Sequence, residues 1–151
     1  MVDLISLYSK KILALASDIP HAERLSDPDA SSMKRSPLCG STITVDVKVE
    51  HGRIVEFGQD VKACALGQAS AAVLGTNAIG LSLQEAQQVR EDLRAMLKDG
   101  RKPPTGKFEK LKLLEPAQDY KNRHASIMLA YDATVEAMES VGAEACAGGQ
   151  T

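Results

Sequence analysis

Strict alternation of polar and β-branched apolar side chains over residues 42–49 is the feature that most limits how this chain can fold. A period of two belongs to a β-strand with one buried face and one wet face, because a helix would spread the apolar residues around its axis. A strand with one wet face is typical of an antiparallel sheet, since parallel strands are covered on both sides. The apolar set is Ile43, Val45, Val47 and Val49, and the polar set is Thr42, Thr44, Asp46 and Lys48.

The segment after this strand predicts its partners. His51-Gly52 supplies a tight turn, and residues 53–57 and 59–62 continue as strand with a break expected at Gly58. The sequence therefore predicts a small antiparallel three-stranded sheet. Residues 18–36 are rich in Pro, Asp and Ser, a composition typical of a surface loop.

Before and after the predicted strands in the chain, apolar residues recur at helical spacing. Ser82-Leu-Gln-Glu85 reads as a capping box before an apolar stripe, and Gly100 supplies the stop. We expect helices at residues 4–16, 65–74, 82–98, 108–114 and 125–141. The predicted fold class is α+β, with the sheet packed against several helices. One domain over residues 1–141 and a disordered tail over residues 142–151 are expected.

Length and composition restrict the functions to be considered. The chain has 151 residues, enough for one core, which must be aliphatic because aromatic residues are only 3% and Trp is absent. A net charge of −2 gives no basis for a nucleic acid or an anionic membrane as partner. No apolar run reaches the roughly 20 residues of a membrane helix, and the first residues predict an amphipathic helix instead of a secretory signal. A cytoplasmic location with reduced thiols is therefore expected.

Cys39 and Cys64 are the residues best suited to chemistry. Cys39 precedes the first predicted strand, and Cys64 marks the point where the last strand gives way to a helix. In a meander these two chain positions can meet at one corner of the sheet. A thiol at a helix N-terminus faces unpaired N–H groups that favour the thiolate, the form that binds soft metals or attacks a persulfide. Alternatively, each Cys is a small apolar residue filling a tight place.

His124 and Cys146 complete the inventory of candidate ligands. His124 precedes the last helix and could reach the same edge of the sheet, although a capping or surface role is the alternative. Cys146 lies in the predicted tail and is expected to have no specific role. The chain has no Gly-rich phosphate loop, no Ser-His-Asp order and no paired-carboxylate motif, so we do not expect an enzyme.

Several segments resemble the U-type iron–sulfur cluster scaffolds, the NifU-like and IscU-type family. The resemblance spans residues 5 to about 140 and is most specific around Cys64. The matching segments, in the family's order, are Leu7-Tyr-Ser-Lys-Lys-Ile12, Arg24-Leu-Ser-Asp-Pro28, Pro37-Leu-Cys-Gly40, Ala63-Cys-Ala-Leu-Gly-Gln-Ala-Ser70, Gly80-Leu-Ser-Leu-Gln-Glu-Ala86 and His124-Ala-Ser-Ile-Met-Leu-Ala-Tyr-Asp-Ala133. The fold that this resemblance implies agrees with the one predicted from periodicity.

The resemblance implies a non-catalytic scaffold or carrier for a transient [2Fe-2S] cluster or iron, with zinc possible in the isolated protein. It implies Cys39, Cys64 and His124 as ligands, and a cysteine desulfurase and cluster-acceptor proteins as partners. The family's site aspartate corresponds to Ser41, and its third cysteine, directly after the histidine, to Ala125. Three donors do not complete a four-donor site. A fourth would come from a second protomer in a homodimer, a partner, a thiol such as glutathione, or Cys146.

Two other functions remain open at this stage. A sulfur-acceptor protein would bind a cysteine desulfurase and relay persulfide through Cys64, and a degenerate interaction module would bind no metal at all. Metal content separates the scaffold from both alternatives, and a persulfide trapped on Cys64 would identify the sulfur relay.

Overall fold

The computed structural model describes residues 9–37 and 40–148, the last seven of these by their backbone only. Within these residues, three strands form one sheet and four α-helices and a 3-10 segment surround it. The α+β prediction is confirmed. The elements are α1 (Lys10–Ala16), β1 (Ala30–Arg35), β2 (Thr42–Glu50), β3 (Arg53–Lys62), α2 (Ala65–Asn77), α3 (Leu83–Asp99), the 3-10 segment (Gly106–Asp119) and α4 (Lys121–Gly148).

The sheet has the order β1-β2-β3 and is antiparallel throughout. The predicted pairing of β2 with β3 is confirmed, with Val45 opposite Gln59 and Val47 opposite Phe57. Both residues of the connecting turn, His51 and Gly52, have positive φ angles of 53° and 77°. Two successive positive φ values are those of the tight hairpin turn that matches the twist of the strands.

Two details of the sheet were predicted incorrectly. Residues 30–35, expected within a loop, form the edge strand β1, and β3 runs without a break through Gly58. Gly58 is required because the Glu23 carbonyl and Leu25 lie against its Cα, where a Cβ would collide with them. The glycine thus marks a close approach of a loop over the sheet, and the strand itself continues.

The helix predicted over residues 4–16 does not run through Ser9, which is extended and caps α1 by accepting a 3.3 Å hydrogen bond from the Ile12 N–H, so α1 begins at Lys10. The later helices begin within a few residues of the predicted positions. The capping box is present, with Ser82 and Glu85 bonding each other's backbone N–H groups, and Gly100 ends α3 at a positive φ of 66°. The short helix expected at residues 108–114 is a longer 3-10 segment. Residues 4–8 of the first predicted helix and residues 149–151 lie outside the described residues. The division between a domain over 1–141 and a tail stays a prediction.

The core lies between one face of the sheet and the helices. Ile43, Val45 and Val47 are fully buried there, as predicted, and α4 crosses both β1 and β2. Tyr131 is the largest fully buried side chain, and its hydroxyl donates a 3.1 Å hydrogen bond to the Ser70 carbonyl of α2. A buried hydroxyl without such a partner would carry a desolvation cost.

The opposite face of the sheet is open to solvent along its margins, as the alternation predicted, with Met33, Glu56 and Lys62 exposed. Its centre is covered, because the loop that precedes β1 folds over it, and Asp46 of β2 is 0% exposed beneath this loop. The Asp46 carboxylate accepts hydrogen bonds from the Arg24 guanidinium, the Leu25 backbone N–H and the Ser31 hydroxyl. Among the described residues, no helix has both the length and the apolarity needed to cross a bilayer.

Candidate functional site

Cys64 lies where β3 ends and α2 begins, as the sequence predicted. It is the N-cap residue of α2, in the extended conformation (φ −67°, ψ 170°), and its thiol is free and partly exposed. Its side chain makes no capping hydrogen bond. The N–H groups of the first helical turn therefore remain available to stabilise negative charge near the sulfur.

Two serines connect Cys64 to the start of β2. The Ser126 hydroxyl of α4 lies 3.4 Å from the Cys64 sulfur and 3.0 Å from the Ser41 hydroxyl. Ser126 is 0% exposed and Ser41 is 3% exposed. The hydroxyls form a continuous chain, Ser41–Ser126–Cys64, because each one can donate one hydrogen bond while accepting another. This hydroxyl chain joins three elements that are distant in sequence.

Close packing of α2 against α4 brings Ser126 to Cys64. A Cβ at Gly67 would lie 2.8 Å from the Ser126 hydroxyl and 3.1 Å from the Ser126 carbonyl oxygen. On the next turn of α2, the Ser70 hydroxyl donates a 2.8 Å hydrogen bond to the Ile127 carbonyl. Small residues on α2 thus allow the backbones of the two helices to approach, and the register of α4 is fixed by a side-chain hydrogen bond.

The electrostatic surroundings of Cys64 favour its ionised form. Burial raises the pKa of the thiol, but the Ser126 hydroxyl and the N–H groups of Gly67 and Leu66 act in the opposite direction and are helped by the positive charge of Arg123. The result is a pKa below the ordinary value for a cysteine. A lowered pKa increases the thiolate fraction at neutral pH, and the thiolate is the form that ligates metals and attacks sulfur.

Cys39 lies outside the described residues, so the predicted meeting of the Cys39 and Cys64 sulfurs stays a prediction. The residues on both sides of it are fixed by backbone hydrogen bonds. The Gly40 N–H donates to the Ser36 carbonyl at 2.8 Å, and the Ser36 N–H donates to the Ser41 carbonyl at 2.9 Å. Ser41, two residues after Cys39 in the chain, belongs to the hydroxyl chain at Cys64.

His124 is buried at the start of α4. It is 5% exposed, and its Nε2 donates to the Ala117 carbonyl at 2.9 Å and lies 3.2 Å from the Gln118 carbonyl. Residues two apart on a helix point about 200° away from each other. Ser126 contacts the Cys64 sulfur, whereas the hydrogen bonds of the His124 ring are made to the 3-10 segment. Ligation by His124 stays a prediction.

The side chain of α4 that contacts the Cys64 sulfur belongs to Ser126, and the correspondence of the preceding residue, Ala125, to the family's third cysteine stays a prediction. Ala125 is exposed and lines two cavities of about 670 and 340 Å³ on the other side of α4. One helical step of about 100° separates the two positions. Ser126 thus supplies a hydroxyl to the Cys64 sulfur.

The described residues do not form a complete metal site. Within residues 9–37 and 40–141, whose side chains are described, no group of three or more His, Cys, Asp or Glu side chains is arranged to hold a metal ion. Cys146 lies near the end of α4, but its side chain is outside the description. Around the Cys64 sulfur the described side chains supply one thiol and two hydroxyls, and hydroxyls are poor ligands for the metals that thiolates prefer.

Comparison with known proteins agrees with this fold. The sequence profile of the family described as "NifU-like N terminal domain" matches residues 7–141. The crystal structure of a nitrogen-fixing NifU-like protein (N-terminal) from Brucella abortus has a TM-score of 0.88 and 40% identity, covering 91% of this chain and 95% of that one. The iron-sulfur cluster assembly scaffold protein IscU of Thermotoga maritima is 26% identical over 135 residues, 89% of this chain and 94% of that protein.

A more distant structure supports the fold alone. The putative iron-sulfur cluster assembly scaffold protein for the SUF system from Fervidobacterium islandicum AW-1 has a TM-score of 0.79 at 19% identity, and the match covers 87% of this chain and 96% of that chain. At this level of identity the similarity supports a shared backbone fold and nothing more specific.

Proposed function

The chain belongs to the family of NifU-like N-terminal domains, and from this premise we propose that it is a scaffold or carrier for a nascent iron–sulfur cluster. Its cargo would be iron or a transient [2Fe-2S] cluster, received through a cysteine desulfurase system and passed to acceptor proteins in the cytoplasm. The role is one of binding and delivery, without catalytic turnover. The observation that carries the proposal is the Cys64 thiol at the start of α2, held by Ser126 and shifted towards the thiolate.

Cys39 is the second proposed ligand. Cys39 precedes Ser41 by two positions in the chain. The Ser41 hydroxyl is itself linked to Cys64 through Ser126. This connection supports a pair of thiolates at one corner of the sheet.

His124 stays a predicted ligand, but its contacts support another role. A ligating ring nitrogen needs a free lone pair, and Nε2 carries the proton donated to the Ala117 carbonyl. Only Nδ1 would remain for a metal. The two carbonyl contacts support a structural role for His124, which ties the end of the 3-10 segment to the first turn of α4.

The resemblance matches two of the family's ligand positions with Ser41 and Ala125, and the loss of both ligands favours carriage over assembly. A thiolate at position 125 could accept sulfur during cluster formation, whereas the methyl group of Ala125 cannot. A cluster held by few thiolates is also easier to release to an acceptor. Zinc, which shares the preference for thiolates, is the metal we expect to compete for the site in the isolated protein.

A sulfur relay is the second candidate, favoured by the same free thiol. The Cys64 thiolate would attack the outer sulfur of a persulfide on the desulfurase. The sulfur–sulfur bond on the desulfurase breaks, a new one forms on Cys64, and the desulfurase cysteine leaves as a thiolate. The step requires no external oxidant. The product would be a persulfide that mass spectrometry detects as one additional sulfur atom on the peptide containing Cys64.

Anaerobic loading with ferric iron and sulfide tests the proposed function. We expect bound iron and sulfide in equal amounts and a visible charge-transfer spectrum for the wild type, with both lost in Cys64→Ala. Cys146→Ala is the matched control, since it removes a thiol outside the proposed site, and it should load as the wild type does. Loading that survives Cys64→Ala, or no iron in the wild type, would refute the proposal.

A further inference from the structure

The smaller of the two cavities beside Ala125, about 340 Å³ in volume, lies between α3, α4 and the end of β1. Its volume is within the range of about 300–1,000 Å³ that is typical of small-molecule sites. We call it the charged cleft, because its lining carries charges of both signs. The cations are Lys34, Arg35, Arg90 and Arg94, and the carboxylates are Asp132, Glu136 and Glu139. The lining therefore has one more positive than negative charge.

Two of the three carboxylates already have partners within the protein. The Lys34 ammonium lies 3.0 Å from the Glu136 carboxylate, which also accepts a hydrogen bond from the Ser32 hydroxyl. The Gln87 side-chain amide donates a 3.3 Å hydrogen bond to the Glu139 carboxylate. Side chains from facing elements are therefore long enough to reach each other across the cleft.

Asp132, the third carboxylate, has no such partner. Its side chain is half-buried, and among the side chains that the structure describes it forms neither an ion pair nor a hydrogen bond. Burial raises the pKa of this carboxyl above its ordinary value, although the positive charges of Arg90, Arg94 and Lys34 act in the opposite direction. A carboxylate that is partly removed from water without a partner carries a desolvation cost. A ligand that donates hydrogen bonds to Asp132 would remove this cost.

Two arginines of α3 line the cleft and lack strong partners. Arg94 lines both cavities beside Ala125, and no hydrogen bond or ion pair holds its side chain to another described residue. Arg90, one helical turn earlier, has a buried Nε that donates no hydrogen bond, and the Glu91 carboxylate lies 3.5 Å from it. Guanidinium groups bind carboxylates through two parallel hydrogen bonds, so these two side chains can hold an acidic ligand.

The unsatisfied groups define the chemistry of the ligand. The two guanidinium groups require carboxylates, and Asp132 requires an ammonium group. A ligand with two carboxylates and one ammonium group has one net negative charge, which balances the excess positive charge of the lining. A metal cation is disfavoured at Asp132, because the positive charges of Arg90 and Arg94 act on the same carboxylate.

We propose that the charged cleft binds an acidic α-amino acid, with its two carboxylates on Arg90 and Arg94 and its ammonium group on Asp132. The Leu129 side chain, which is 4% exposed, supplies an apolar surface for the methylene groups of the ligand. This site goes beyond the proposed function, since it uses side chains of α3 and α4 that take no part at Cys64.

Isothermal titration calorimetry on the metal-free chain tests this inference, with L-glutamate as the probe. We expect one molecule to bind per chain with a Kd below about 1 mM. Glutarate keeps both carboxylates but lacks the ammonium group, so it should bind at least about tenfold more weakly.

Variants of the two kinds of contact should respond differently. Arg94→Gln removes a carboxylate partner and should weaken the binding of glutamate at least about tenfold. Asp132→Asn should remove the preference for glutamate over glutarate, a change that partial unfolding would not produce. Arg101→Gln and Asp99→Asn are the matched controls, since both residues are exposed and lie outside the cleft, and they should bind glutamate as the wild type does. Far-UV circular dichroism checks that each variant is folded.

The outcomes are independent of iron loading, because the titration uses protein without metal. A Kd for glutamate above about 1 mM would overturn the inference. A preference over glutarate of less than about tenfold would show a plain anion site and would overturn it as well. Unchanged binding in Arg94→Gln, or a preference that survives in Asp132→Asn, would contradict the assigned contacts. Each of these results leaves the carrier function untouched.

Discussion

Replacement of Asp46 by Asn tests how the covered face of the sheet is stabilised. The carboxylate is fully buried and accepts hydrogen bonds of 2.6 and 3.0 Å from the Arg24 guanidinium and of 3.0 Å from the Leu25 N–H. Asn keeps the shape, but it loses the charge and turns an NH₂ group towards donors. In the variant, the loop that precedes β1 would therefore lose its main attachment to β2.

The expected loss of stability in Asp46→Asn depends on how exposed the Arg24 side chain is. Removing one member of a buried ion pair costs about 3–5 kcal/mol when the other charge stays buried. The Arg24 side chain is 53% exposed and can turn to water, so we expect a smaller loss, about 2–3 kcal/mol. With a urea m-value of about 2 kcal/mol/M, the midpoint of unfolding should fall by about 1–1.5 M at pH 7.

The pH dependence provides a second check on the same variant. The pKa of Asp46 in the folded protein lies below its usual value: burial opposes this, but hydrogen bonds from Arg24, Ser31 and Leu25 outweigh it. A lowered folded pKa gives stability that is present above the unfolded-state pKa of about 3.9 and is lost as the pH falls through the folded pKa. The difference between the wild type and Asp46→Asn should therefore narrow in acid.

Asp27→Asn is the matched control for the charge change. Asp27 is 92% exposed and lies 3.5 Å from the Lys48 ammonium, so its loss should cost no more than about 0.5 kcal/mol. Equal urea midpoints for the two variants, or a difference from the wild type that does not change with pH, would refute the argument that the buried carboxylate fixes the loop.

Three further predictions concern Cys64 and the helices α2, α3 and α4. Gly67→Ala should destabilise the protein by about 1–2 kcal/mol in urea unfolding, because its Cβ would lie 2.8 Å from the Ser126 hydroxyl; a fully neutral effect would contradict the close packing of α2 and α4. Ser82→Ala should lower the free energy of unfolding by about 1 kcal/mol, since the capping box with Glu85 is lost; the double variant with Glu85→Ala should cost less than the sum of the two single variants. The pH profile of iodoacetamide alkylation should give Cys64 a midpoint below that of an ordinary thiol, and a midpoint above it would contradict the stabilising contacts at the start of α2.

The sequence allowed the central hairpin to be predicted because its signals are local. Alternation along β2 and the turn at His51-Gly52 require no knowledge of distant residues. The edge strand β1 was missed because residues 30–35 are mostly polar or charged, and pairing with β2 determines their conformation more than their own propensity does. The burial of Asp46 was missed for a related reason, since only the tertiary path of the loop covers that face.

At the site, Cys64 was predicted correctly at the junction of a strand and a helix. Ser126, whose hydroxyl lies 3.4 Å from the Cys64 sulfur, was missed because a serine carries neither a thiol nor a charge that would single it out in the sequence. A weak signal for it exists on α4. Ala125, Asp132, Glu136 and Glu139 line one cavity, and Ser126 is turned from Ala125 by one helical step of about 100°.

Cluster transfer under competition tests the carrier function most directly. The loaded protein is mixed anaerobically with an apo plant-type ferredoxin and an excess of an iron chelator, and the holo-ferredoxin spectrum is followed with time. We expect ferredoxin to acquire its cluster despite the chelator, and Cys64→Ser given the same iron and sulfide to deliver none. Capture of all the iron by the chelator, or equal transfer from the variant, would contradict the carrier function.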